Sequence, residues 1–278
     1  ANDGARLMQL TGSDYRDFRP SVQLAASLFS GTDPFGPGPW TAPLRWLGVV
    51  EEGSKAAPQS KSFDDGGYHV LRRGKAMAVL RYPRFRFRPS QADALHLDLW
   101  HRGINLLRDA GTFSYNSEGA EWFSSTAAHN TVEFDGRDQM PRLGRFLFGG
   151  WLRAAAVAPV CIEDESVTAA AAYRDARSVY HHRAITLTAD GLVCRDTISG
   201  SFQTACLRWR LAPGAWHLEN DMLRSEYGTI SIDIDGVLVK PFVGKSEESR
   251  YYLKKSTIPV AWVEIDRPAT LVTKVAFS

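Results

Sequence analysis

The residues able to do chemistry crowd into one stretch, from Arg84 to Val132. His96, Asp98, Asp109 and His129 supply two imidazoles and two carboxylates, the side chains that move protons or ligate metal ions near neutral pH. Tyr115 adds a phenol, and Arg84, Arg86 and Arg88 place guanidinium groups at alternate positions. Ala94, His96, Asp98 and Trp100 alternate with Leu95, Leu97 and Leu99. That is the period of a strand with one buried face, so His96 and Asp98 are expected to point the same way. After the turn signal Arg102-Gly103, Ile104 to Arg108 reads as the returning strand of a hairpin, which Asp109-Ala110-Gly111 ends.

Each candidate also has a plainer role. His96 with Asp98 suits a strand-surface ion pair better than a base and its orienter. His129 is a metal ligand with Asp109, a polar wall of a substrate cleft, or a buried histidine satisfied by Asp109 or a backbone carbonyl. Arg84, Arg86 and Arg88 alternate with Phe85 and Phe87 and would lie along one strand face. There they either pair with carboxylate or sulfate groups, with Tyr115, Trp122 and Trp151 stacking on sugar rings, or form a solvated face over buried phenylalanines. Asn130 either binds sugar or closes a turn. The neighbours His181 and His182 point to opposite faces of a strand and make no single site.

The elements that must position these groups are mostly strands. Tyr68 to Arg72, Ala76 to Tyr82, Ile185 to Thr188, Leu192 to Ile198, Leu207 to Leu211, Thr229 to Ile234 and Ala261 to Ile265 are β-rich runs bounded by Gly, Pro, Asp or Asn. With no long helix between them, they predict a mainly β fold, an antiparallel β-sandwich spanning 62–278. Residues 1–52 differ in kind. Ser21 is placed to cap a helix carrying Val22, Ala25, Ala26 and Phe29 on one face, with Gly31 as its stop. Thr41 and Pro43 open a second short helix that Gly48 closes, and residues 53–61 read as a linker. Two short helices with apolar faces need something to pack against.

Charge and composition exclude several classes. Lys and Arg total 33 against 31 Asp and Glu in 278 residues, which gives no reason to expect nucleic acid or an acidic membrane surface as partner. No apolar run is long enough to insert in a membrane as a helix. Phosphate-loop, dinucleotide, serine-elbow and zincin motifs are missing from the sequence. Three cysteines are too few for a disulfide framework. A hairpin could bring Cys194 and Cys206 together, but three buried thiols are the simpler expectation. The chain starts at Ala1 with no initiator Met and no signal peptide, as a mature or trimmed piece of a longer protein would.

The order of anchors carries more information than any one of them. Gln91-Ala92-Asp93, the alternating strand to Trp100, Gly103, Leu106-Leu107, Asp109-Ala110-Gly111-Thr112-Phe113-Ser114-Tyr115 and His129-Asn130-Thr131-Val132 follow one another at set spacing. The series resembles the C-terminal β domain of the heparinase II/III-like polysaccharide lyases, whose pattern runs His-x-His-Ala-Asp, a strand, Asp-x-Gly-Thr-x-x-Tyr and His-Asn-Thr-Val. The resemblance implies a super-sandwich or jelly-roll-like domain, following an upstream α/α toroid-type domain that supplies the main catalytic groups. It also implies β-elimination on an acidic, uronate-containing polysaccharide. The place of action would be periplasmic or extracellular if the protein is exported, with the cytoplasm left open.

In that pattern the first histidine assists catalysis, and the second joins the aspartate and the later histidine around zinc. Here those two positions are Pro89 and Gln91. The resemblance therefore implies a degenerate, structural zinc set of Gln91, Asp109 and His129, with His129 and Tyr115 catalytic. Arg84, Arg86, Arg88, Asn130 and Trp122 would contact the polymer. The alternative is a non-catalytic carbohydrate-binding or structural module linked to capsule or exopolysaccharide metabolism, in which the missing histidines record lost chemistry.

Overall fold

Alternation of apolar and polar side chains turns most of the chain into antiparallel strands. A computed structural model describes residues 12–14, 17–49 and 58–278, and these fall in two units divided between residues 59 and 60. The larger unit holds a five-stranded sheet, a nine-stranded sheet, a four-stranded sheet and a two-stranded ribbon. The five-stranded sheet runs in chain order through Lys61–Phe63, Tyr68–Arg73, Ala76–Arg81, Leu97–His101 and Ile104–Leu107. The four-stranded sheet pairs Ala205–Arg210 with Lys254–Ile265 on one side and Val132–Phe134 on the other. One apolar core joins all three large sheets, through residues such as Leu80, Leu97 and Leu107, then Ile185 and Leu192, then Leu207 and Trp209. The sandwich expected from the strand pattern is present.

Two local departures bear on the site. The alternating run does not form a strand from Ala94. Leu95 takes a left-handed φ of 60° with its side chain fully buried, an unfavourable conformation for a branched residue, and the strand begins at Leu97. Nor do Arg84, Arg86 and Arg88 share a strand face. Between Tyr82 and Pro89 the backbone is irregular, with one isolated bridge from Arg84 to Arg153. Pro83 and Pro89 bracket this run, and neither has an N–H to offer a ladder. Phe85 packs against the core, but Phe87 is 86% exposed.

The cysteine hairpin is not formed either. Cys194 lies in the nine-stranded sheet and Cys206 in the four-stranded one, so the connection between them crosses from sheet to sheet. All three thiols are free, Cys194 and Cys206 buried and Cys161 exposed. His181 is buried and its neighbour His182 only partly so, as strand alternation requires.

In the smaller unit the first helix spans Arg19–Ser30, starting two residues before Ser21. Pro20 occupies the first turn, where its missing N–H is harmless, and the Asp17 carboxylate accepts from the Arg19 N–H at 3.0 Å. Gly31 ends the helix with φ 59°. Ala42–Trp46 forms the second helix, with Thr41 at its N-cap position. On the first helix Val22, Ala25 and Phe29 are exposed, whereas Gln23 is buried and donates to Asp33 at 2.8 Å. Most of the expected linker lies outside the described residues.

Candidate functional site

The hairpin Leu97–His101 and Ile104–Leu107 delivers the chain to Arg108 and Asp109. Arg108 forms a buried ion pair with Glu248 at 2.9 Å, and the Ser249 N–H donates to the Ala110 carbonyl at 2.7 Å. Gly111 follows with φ 81°, bridging to Ser249; a Cβ here would collide with the Ser249 carbonyl oxygen. Only glycine serves at this place. Its N–H donates to Asp109 Oδ1 at 2.6 Å, which fixes the carboxylate.

His129 enters from the other side, after a short 3-10 turn at Thr126–Ala128. Its Nδ1–H donates to Asp109 Oδ2 at 2.9 Å. His96 completes the group: Nε2 lies 3.7 Å from Asp109 Oδ2 and 3.9 Å from Asp98 Oδ2. Its ring meets that of His129 edge-on at 5.4 Å. Burial would raise the Asp109 carboxyl. The interaction with His129, helped by His96 and the Gly111 N–H, outweighs that and holds it far below the usual carboxylate range.

Ligand atoms of His96, Asp109 and His129 all lie within 4.8 Å of one another. His96 thus stands beside Asp109 and His129, and Gln91, an amide, lines a neighbouring pocket. The sequence pattern hid this, because His96 owes its place to the left-handed Leu95 just before it. The residue types suit zinc, but the protons do not. The Asn130 backbone N–H donates to His96 Nδ1 at 3.0 Å. A backbone amide can only donate, so Nδ1 holds the lone pair and the neutral ring carries its proton on Nε2. Of the four ring nitrogens and two carboxylate oxygens, His129 Nε2 alone keeps an uncommitted lone pair on a nitrogen, and it is buried without a partner. Zinc takes three or four protein ligands from nitrogen, sulfur or carboxylate oxygen; with the His96 Nε2 protonated, this trio offers only His129 Nε2 and the Asp109 carboxylate, and as arranged it does not fit the ion.

Two pockets meet at this turn. His96, Asp98, Asp109 and Gly111 line the first with Tyr68, Trp100, Arg81 and Arg250. Thr112 and Tyr115 line the second with Gln91, Glu121, Arg145 and Phe146. Tyr115 is 45% exposed, its ring 5.5 Å from Tyr252 and 5.8 Å from Phe146. Gln91 is buried, and its Oε1 has no partner.

Other candidates are placed elsewhere or otherwise engaged. His129 has no exposed surface and lines neither pocket. Asn130 is fully buried: its amide donates to the carbonyls of Leu97 and Arg108, and its Oδ1 accepts from the Arg210 N–H at 2.7 Å. It binds the two halves of the site together and has no hydrogen left for a sugar. Trp122 is half-buried against Phe123, with the Arg210 guanidinium 5.3 Å from its ring. The Trp151 indole donates to the Phe148 carbonyl and lines neither pocket. Arg84 is paired with Asp64 at 2.9 Å and Arg86 with Asp65, while Arg88 is exposed outside any strand.

Beneath the site lies a second histidine–aspartate cluster. Asp196 accepts from His181 Nε2 at 2.7 Å and from Arg183 at 2.6 and 3.0 Å, all three residues having no exposed surface. Arg183 also donates to the carbonyls of Leu95 and Asn130, each at 2.6 Å. These are the residues next to His96 and His129, so the core arginine holds both site segments. No sequence signal pointed to it.

Known proteins place the chain in company. No curated protein matches it. Among solved structures, it is similar to a heparinase III at 18% identity, covering 92% of this chain and 41% of that one with a TM-score of 0.67. A heparan sulfate lyase mutant from Pedobacter heparinus matches at 16% identity, 93% and 41% coverage and TM-score 0.67. The chondroitin AC lyase of Streptomyces coelicolor A3 matches at 13%, 86%, 36% and 0.51. At these identities the likeness is one of fold, and the chain spans about two fifths of the length of the first two. Residues 55–246 match the family model described as heparinase II/III-like, C-terminal. That stretch covers well over half the chain and includes every anchor from Gln91 to Val132; the chain belongs to the heparinase II/III-like family, as its C-terminal domain.

Proposed function

We propose that this domain forms one wall of the substrate cleft of a polysaccharide lyase, which acts by β-elimination on an acidic, uronate-containing polymer. Elimination needs a base for the proton α to the carboxylate, a group that neutralises the carboxylate, and an acid for the leaving oxygen. The observation that carries the reading is the turn from Asp109 to Tyr115, which lies on the family motif and sets two pockets side by side. Tyr115 is the catalytic candidate of this chain, since its phenol sits in an open pocket and can reach a polymer. Buried His129 acts through Asp109, as a positioning residue. The remaining catalytic groups belong to an upstream helical domain of the same protein. The exposed Val22, Ala25 and Phe29 face of the first helix is what such a domain would cover. A periplasmic or extracellular place of action goes with this reading.

Two observations favour a second reading, a carbohydrate-binding or structural module of capsule or exopolysaccharide metabolism. Pro89 and Gln91 stand where the pattern has histidines, and Arg84 and Arg86 are already paired with aspartates. An ultraviolet assay for unsaturated uronate separates the two. The complete protein is given heparan sulfate, chondroitin sulfate, hyaluronan and alginate. The lyase reading expects absorbance to grow on at least one polymer and to fall at least a hundredfold in rate in Tyr115→Phe. Silence on all four would leave the binding module.

A further inference from the structure

Which group of a sugar the first pocket receives is written in its hydrogen-bonding gaps. His96 Nε2 is buried without a partner, on a residue 7% exposed, and so is Oδ1 of Asp93, 6% exposed. Both residues line the pocket that holds Asp98 and Asp109. Because the Asn130 amide fixes His96 Nδ1 as acceptor, Nε2 presents an N–H. Turning the ring over would set a C–H against the amide and strand that buried donor, at about 1–3 kcal/mol.

The gaps from Nε2 to Asp109 Oδ2, 3.7 Å, and to Asp98 Oδ2, 3.9 Å, are too long for hydrogen bonds. They suit one atom that accepts from the imidazole and donates to a carboxylate. A metal ion placed there meets an N–H with no lone pair. A uronate carboxylate at that point meets two carboxylates of its own sign and can donate to neither; of the two arginines lining the pocket, Arg81 is held by Asp93 at 2.7 Å and Arg250 is exposed. A hydroxyl has the acceptor and the donor that the place requires. Trp100 lines the same pocket and supplies an aromatic ring of the kind that packs against sugars, while the Tyr68 ring is covered by the Arg81 guanidinium at 5.1 Å.

Resting on the polysaccharide reading above, we propose that the pocket of His96, Asp98 and Asp109 is a subsite for a sugar hydroxyl, recognised without metal. The acidic groups of the polymer are then bound elsewhere, and His96 is a specificity residue that nothing in the family pattern marks.

The test is nitrogen-15 NMR of histidine-labelled protein, purified without chelator and checked by elemental analysis. His96 is expected to show a protonated Nε2 and an unprotonated Nδ1, with well under one zinc per chain. Stoichiometric zinc that is lost in His96→Ala or Asp109→Asn would overturn the proposal, as would the opposite tautomer. The ligand half uses heparan sulfate oligosaccharides, native and carboxyl-reduced. Both should shift the His96 Nε2–H resonance, because reduction removes the carboxylate and keeps the hydroxyls. His96→Ala should weaken binding of the reduced oligosaccharide about tenfold, the worth of one hydrogen bond, and His96→Gln, which restores a donor at that distance, should recover most of it. A response to the native form alone, or to neither, overturns the assignment. None of these readings depends on turnover, so an inactive protein can still pass and an active lyase can still fail.

Discussion

Among the described residues, two histidine–aspartate clusters differ in how the carboxylate is held. In the core, Asp196 is bonded directly by a permanent cation, Arg183, and by His181, and none of the three has exposed surface. At the pocket, Asp109 is hydrogen-bonded by His129 and the Gly111 N–H, feels the Arg210 charge without bonding it, and has a side chain 26% exposed. Burial would raise the Asp196 carboxyl, but the Arg183 charge and the His181 hydrogen bond hold it far below its ordinary value. The two differ in whether the cation is bonded to the carboxylate and in whether solvent reaches it: Arg183 seals Asp196 in the core, and Asp109 stays at a pocket wall.

Removing the fixed charge breaks this contrast most severely. Arg183→Met strands a buried carboxylate and two carbonyls, and the expected loss is about 3–5 kcal/mol, read from urea or thermal unfolding. Since Arg183 also holds Leu95 and Asn130, the His96 tautomer should lose its definition in whatever fraction stays folded. A small loss, under about 1 kcal/mol, would mean that the core cluster does not brace the site.

Glycine at the turn comes next. Gly111→Ala places a Cβ against the Ser249 carbonyl at a left-handed φ. A loss of about 1–3 kcal/mol is expected, with the Asp109–His129 pair displaced; wild-type stability in this variant would show that the turn can relax.

Acid sharpens the comparison. Both aspartates have folded-state values below the ordinary 3.8, so each contributes stability that is complete above the unfolded value, near pH 4, and fades as pH falls toward the depressed folded one. The difference in melting temperature between the wild type and Asp196→Asn should therefore be full at neutral pH and close below about pH 4. The same gap for Asp109→Asn should be smaller, since solvent reaches its carboxylate. Equal gaps would contradict the distinction between closed and open clusters.

The smallest effect is expected where charge is most visible. Arg84→Gln and Arg86→Gln break exposed pairs, each worth about 0–1 kcal/mol, and retention on a uronate column should change little because both guanidiniums already have aspartate partners. Strong loss of retention would restore these arginines as a polymer contact.

How far the sequence could be read follows from the distance over which each feature is determined. The hairpin to Leu107, the Asp109 turn and the strands from Ala76 or Leu192 rest on local alternation and turn residues, and they were legible. Ala154–Ile162 and Val167–Arg174 were not, because alanine-rich runs carry little strand signal. Arg84 to Arg88 has the alternation of a strand face, but Pro83 and Pro89 deny it a ladder, and the aspartate partners of Arg84 and Arg86 lie about twenty residues upstream. His96 was seen as half of a surface pair, since its membership depends on Leu95 and on an amide 34 residues away. Arg183 reaches Leu95 across 88 residues, and no spacing rule announces that.

The clasp between Ala110 and Ser249, with the Arg108–Glu248 pair beside it, has a consequence for the order of events in synthesis. The ribosome releases His96, Asp109 and His129 long before it makes Glu248, which lies 140 residues beyond Arg108. Until the strand Phe242–Tyr251 arrives, Arg108 has no counter-charge and Gly111 has nothing to bridge. A nascent chain, or one clipped by a protease ahead of that strand, carries His96, Asp109 and His129 but lacks Glu248, Ser249 and Arg250, which form part of the pocket wall. Arrival of the Phe242–Tyr251 strand is what closes the pocket wall.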